Sequence, residues 1–291
     1  MEKIVESRKS KHKVLENRVR AMHKKSEKMP TVAITDLEPS EIPHHFNLTH
    51  CLPTEFEFSP RKTEKLSLPP HLNSTLVDYG MATSGSPINE TLIRSRISVI
   101  ILTTLAKMKR ELPAKPRTPV VSSTSPKFVH LKFDREIEFI WKSDNRRVRL
   151  SGIVDYSLWY GMPDDYSTNM TTIEASQPDL IKRGVFKCLA YMAMVHETRK
   201  RAKVIDTSVY GIATDSFEWV FIRIRPNGEW TAKAYHWVHN AQEIVSMLAN
   251  IFAHAATSHK WWNLGVEAEF STSLEQPKLK PKSMRDMRHS I

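Results

Sequence analysis

The fold turns on residues 147–201, where RVRLSGIVDY (147–156) is followed by MTTIEA (170–175) and then by DLIKRGVFKCLAYMAMVHETRKR (179–201). In the first segment Val148, Leu150 and Val154 alternate onto one side and Asp155 falls on the other, the period-two pattern of a half-buried strand. The second is a short β-rich run, and the third repeats apolar residues at helical spacing with basic residues in its last turns, where the helix dipole favours them. Strand, strand, helix is therefore the local order.

Working outward, residues 208–213 and 219–225 read as strands, and Pro226-Asn227-Gly228 turns the second of them into a hairpin partner at 230–237. A last helix is expected from about 241 to 259. Upstream, 128–133 and 137–141 are short strand candidates. Residues 90–110 lack Pro and Gly and carry Leu92, Ile93, Ile97, Ile100, Ile101, Leu105 and Met108 at helical spacing, with Asn89 as N-cap and Glu90 in the first turn. This helix must dock on something, most simply the sheet. The order predicts a mixed α/β domain over 88–260.

The flanks read differently. Residues 30–87 form a proline-rich, irregular arm, and twelve of the seventeen prolines fall between Pro30 and Pro126. Residues 1–29 and 261–291 are basic tails, the first a frayed helix or disordered. The formal net charge of +11 is concentrated there: residues 1–30 hold ten Lys/Arg against four Asp/Glu, and residues 271–291 hold five against two. Such arms are either solvated or dock electrostatically on nucleic acid. The hydrophobic fraction of 40% supports a packed core. Two cysteines, Cys51 and Cys188, exclude a disulfide framework, and Cys188 reads as a core residue. No apolar leader or membrane span is read, so an intracellular location is expected, nucleus and cytoplasm both open, with no membrane partner and no weight on the sequon asparagines. The pair His44-His45 has no further ligand at metal spacing.

The chemistry-bearing pair is Asp155 and Glu174, carboxylates on consecutive strands. Acids in apolar strand surroundings are costly unless paired or coordinating a cation, and a divalent metal suits them. The bland alternative is a strand-end aspartate and a surface glutamate.

Around these residues the chain resembles the PD-(D/E)XK nuclease superfamily. The stretch Ser151–Tyr156 is similar to the first acidic strand, Thr172-Ile-Glu174-Ala-Ser176 to the E-x-K strand, and Gly184–Met192 to the helix that follows in many relatives. The likeness extends through Val209–Asp215 and Trp219–Phe221, and loosely to 88–110, where Glu90 resembles an acid often found there. The resemblance implies a restriction-endonuclease-like core, with a mixed central sheet flanked by helices. It also implies hydrolysis of nucleic-acid phosphodiesters by Asp155 and Glu174 with Mg2+ or Mn2+, the Ala175 carbonyl being a third oxygen ligand. One departure is plain: Ser176 stands where the family has its lysine. Lys187, at a position usually held by glutamine, can supply the missing charge from the helix, or it is a snorkelling surface residue. Glu90, Ser176 and Tyr191 are accessory candidates. DNA is expected ahead of RNA, a homodimer is compatible, and the alternative is a catalytically inactive pseudonuclease that binds nucleic acid or protein. A third reading, a structural protein whose arm wraps its own domain, predicts a cleft filled by that arm. His196 reads as a packing histidine, and Trp219, Trp230 and Trp237 as core.

Overall fold

The computed structural model describes residues 29–54, 57–58, 66–84, 86, 88–111, 130–143, 146–159 and 170–258. Along them run β1 (Thr31–Ala33), α1 (Glu41–His45), β2 (Thr49–His50), α2 (Leu72–Ala82), α3 (Glu90–Glu111), β3 (His130–Ser143) and β4 (Arg146–Trp159). These are followed by β5 (Met170–Ala175), α4 (Ile181–Arg201), β6 (Val209–Thr214), β7 (Glu218–Ile224), β8 (Glu229–His236) and α5 (Trp237–Ser258). The strands make one mixed eight-stranded sheet in the order β1-β4-β5-β6-β7-β8-β2, with β3 also paired to β4. The pairs β1–β4, β5–β6 and β2–β8 are parallel, and the others antiparallel.

Each face of the sheet carries its own core. Helices α2, α3 and α5 cover one through Leu76, Ile97, Ile100, Ile101, Leu248 and Phe252 against Tyr156, Ile173, Ile212 and Phe221. Helix α4 covers the other through Cys188, Leu189, Met192 and Val195 against Leu150, Val154, Ala213 and Ile222. The mixed α/β plan with helices on both faces is thus the observed architecture. Asn89 caps α3, its Oδ1 accepting from Leu92 N at 3.0 Å. Trp219, Trp230 and Trp237 are buried. So is His196, whose Nδ1 lies 2.8 Å from the Thr207 carbonyl.

Two expectations need correction. The proline-rich arm is in part regular. Its prolines stand where strands and helices tolerate them: Pro30 just ahead of β1, Pro43 in the first turn of α1, and Pro69-Pro70 just ahead of α2. Ile34, Ile42, Phe46 and Leu48 join the α4-side core on the way from one end of the sheet path to the other. Second, the two short strands expected at 128–133 and 137–141 are, over the described residues from His130 to Ser143, one continuous β3, residues 128 and 129 lying outside the described residues. The interruption suggested by Asp134-Arg135-Glu136 is absorbed at one residue, Asp134, which takes φ 49°. Aspartate visits that left-handed region at modest cost, so the strand carries on through it. The expected N-terminal helix and the basic C-terminal tail lie outside the described residues, apart from Met29.

Candidate active site at an opening in the sheet

Strand β4 changes neighbour on one edge. Its end pairs with β5 through Tyr156–Trp159, and its beginning pairs with β1 through Arg149–Ser151. Between them residues 152–155 have no strand on that side among the described residues. The ladder to β3 also omits Asp134 and Asp155, jumping from Phe133↔Tyr156 to Arg135↔Val154. Residues two apart in a strand share a face, yet Val154 packs in the α4-side core and Tyr156 in the α3-side core. The strand therefore turns over at Asp155, and that carboxylate is open to side chains from both helical layers.

Asp155 is 8% exposed and Glu174, at the end of β5, is 1% exposed. Asp155 Oδ2 accepts from Ala175 N at 2.8 Å, which fixes it beside the second acid. Lys187 comes down from α4 and donates to Glu174 Oε1. Glu174 Oε2 is buried with no donor facing it among the described residues. Burial first, and then the adjacent Asp155 carboxylate, push the Glu174 carboxyl well above its ordinary range against the pull of Lys187.

Tyr191, one turn beyond Lys187, is fully buried and donates to the Ile153 carbonyl at 2.9 Å. Burial and then the two carboxylates raise its phenol, which keeps it a donor. The ring lies against Gly152, where a Cβ would sit 2.6 Å from the tyrosine hydroxyl and 2.7 Å from Cε1. Gly152→Ala is therefore expected to cost about 1–3 kcal/mol by overpacking, read as a lower urea midpoint; an unchanged midpoint would refute this tight contact.

Ser176 packs against α4. Its Oγ lies under α4, where a Cβ on Gly184 would come within 1.8 Å of it. Position 176 is half-buried at this contact. The charge arrives instead from Lys187, three residues after Gly184 on the same helix, so the structure brings together Asp155, Glu174, Ala175, Lys187 and Tyr191. Glu90 stays at the rim: its side chain is 64% exposed and meets Arg94 Nη1 at 3.8 Å.

Arg94 and Asp134 were not singled out in the sequence. Arg94 Nη1 lies 3.6 Å from Asp155 Oδ1 and its Nη2 binds Asp134. In sequence Arg94 is one more charge on an amphipathic helix, and only the docking of α3 onto β4 brings it here. The local signal, a polar residue at i+4 from Glu90, is too common to select it.

Two adjacent carboxylates, one with an unsatisfied buried oxygen, are of the hard-oxygen type that suits Mg2+ or Mn2+. Among the described residues no group of three or more His, Cys, Asp and Glu side chains could hold a metal. An ion here would complete its shell with backbone oxygen and water, as magnesium commonly does. No described helix is long and apolar enough to cross a membrane. The chain matches no protein-family model and no curated protein.

Proposed function

We propose that the chain is a metal-dependent, PD-(D/E)XK-like nuclease that hydrolyses phosphodiester bonds of nucleic acid, DNA ahead of RNA. The observation carrying this reading is the Lys187 ammonium on Glu174, beside Asp155, which assembles two carboxylates and a lysine although Ser176 stands in the motif. Asp155 and Glu174 would hold Mg2+ or Mn2+ with the Ala175 carbonyl as an added ligand. When bound, the ion supplies charge neutralisation at a phosphoryl oxygen and activation of water. The chain's own groups do the rest. Ala175 N–H orients Asp155, Tyr191 pins β4 at Ile153, and Lys187 offers three donors on a flexible stem to the developing phosphate charge.

A second reading, a pseudonuclease that binds nucleic acid or protein without cutting, is favoured by one observation. Arg94 and Lys187 already stand against Asp155 and Glu174, so each carboxyl has a cationic neighbour without a metal. The test is cleavage of labelled single- and double-stranded DNA and RNA in magnesium or manganese by wild type and Asp155→Ala, with binding measured at two salt concentrations. Cutting by wild type that disappears in Asp155→Ala supports the nuclease. Salt-dependent binding without cutting supports the second reading, and neither cutting nor binding overturns the nucleic-acid reading.

A further inference from the structure

We infer that Arg94 is a phosphate ligand of this site, held in reserve by Asp134 and released to the backbone of a bound polynucleotide. The inference rests on the nucleic-acid reading above and adds to it a second cation, from the opposite helical layer to Lys187.

Three observations carry it. First, the guanidinium is partly open to solvent, its side chain 28% exposed, while it lies 3.6 Å from buried Asp155. It therefore stands within reach of a phosphate that approaches Asp155. Second, two of its three carboxylate partners are weak holders: Asp134 and Glu90 have side chains 60% and 64% exposed, and only Asp155 is buried. Exposed ion pairs contribute little, so exchanging a surface carboxylate for a phosphate costs little. The guanidinium fork matches two phosphate oxygens as well as it matches a carboxylate. Third, the arginine side chain is not needed to seat its helix. Helix α3 is docked by Ile93, Ile97, Ile100 and Ile101 in the core. The Arg94 backbone carbonyl itself accepts from the Tyr156 hydroxyl at 2.6 Å. Asp134, for its part, occupies the φ 49° position opposite Asp155 where the β3–β4 ladder is interrupted. That kink places a carboxylate beside Arg94 without burying it.

The experiment uses the full chain and a 5′-fluorescein-labelled DNA oligonucleotide, single- and double-stranded, with anisotropy read across a salt series in calcium-containing buffer and cleavage monitored in the same samples. Arg94→Gln is expected to weaken binding about tenfold and to make the log affinity against log salt slope shallower by about one. Arg94→Lys recovers only part, because the ammonium lacks the fork. Asp134→Asn is the decisive arm. Asparagine tolerates the left-handed backbone as aspartate does, so the variant removes the competing charge and is expected to bind about threefold more tightly. A gain that disappears in the Arg94→Gln/Asp134→Asn double variant, or in Arg94→Lys/Asp134→Asn where glutamine at 94 prevents folding, belongs to the freed guanidinium; a gain of the same size in the double variant comes only from the lost negative charge and overturns the role of Arg94. If wild type binds in a salt-dependent way and both Arg94→Gln and Asp134→Asn match it, the role of Arg94 is overturned while the nucleic-acid reading stands. If wild type binds no DNA, both fall together.

Discussion

Lys187→Ala is expected to lower cleavage by about a thousandfold or more, the loss of about 4 kcal/mol of transition-state stabilisation that goes with removing one preorganised charge from a phosphoryl-transfer site. The side chain is the one cation donating to Glu174 among the described residues, and Ser176 cannot replace it, because its Oγ is pressed beneath α4 at Gly184. The same packing argues that Ser176→Lys does not rescue the variant: a side chain that starts against Gly184 meets the helix at its base, and from this half-buried position its ammonium is expected to leave toward solvent. Loss of activity must be separated from loss of fold. Breaking a fully buried ion pair costs about 3–5 kcal/mol; Lys187 keeps part of its side chain in water, so about 2 kcal/mol is expected here. Urea unfolding of the variant measures this directly. Retention of the apo fold with cleavage within tenfold of wild type would remove Lys187 from the mechanism. A wild type that cuts nothing would instead move the chain to the pseudonuclease reading, with Lys187 as a structural counter-ion.

The parts legible in the sequence were those in which local pattern and tertiary packing agree. MTTIEA reads as a strand and is one at both ends, and the apolar spacing of 90–110 together with Asn89 gives α3 with its cap. Helix α4 is amphipathic with basic residues last, and it starts at Ile181 after a short 3-10 turn at Pro178–Leu180. The carboxylate pair was legible because consecutive strands bring such residues side by side. What was not legible came from long-range contacts. Proline density conceals short strands whose only reason for forming is an open sheet edge, as at Thr31–Ala33 beside Arg149–Ser151. Arg94 lies 61 positions before Asp155, and its role depends on the strand turning over at that aspartate. No periodicity encodes that turn, since Val154 and Tyr156 are equally apolar neighbours of the same face until the two cores claim them separately.

Glu174→Gln is expected to leave a protein whose stability, relative to wild type, improves steadily as the pH is raised. The Glu174 carboxyl is 1% exposed, and burial together with Asp155 holds its pKa well above the ordinary 4.5. In the native chain it therefore keeps a proton that the unfolded chain has released. With more protons bound in the native state, unfolding free energy falls as pH rises, by up to about 1.4 kcal/mol per unit for one group. The stabilising contribution is complete below about pH 4.5. It declines from there upward until the folded carboxyl itself ionises. Glutamine has nothing to ionise and can still accept from Lys187, so the difference between wild type and variant isolates this group from every other titration in the molecule. Urea unfolding of both proteins between pH 4 and pH 8 gives the profile. A difference that is flat, or that rises with pH in favour of wild type, would mean that Lys187 dominates and the carboxylate is charged throughout. Excess magnesium then links this titration to function. A cation seated on Asp155 and Glu174 binds the ionised form, so it would replace the proton and remove the decline in wild type while leaving Glu174→Gln unaffected. Persistence of the decline in magnesium would place the ion elsewhere or nowhere, and would leave the carboxylate pair a buried, proton-sharing element of the fold.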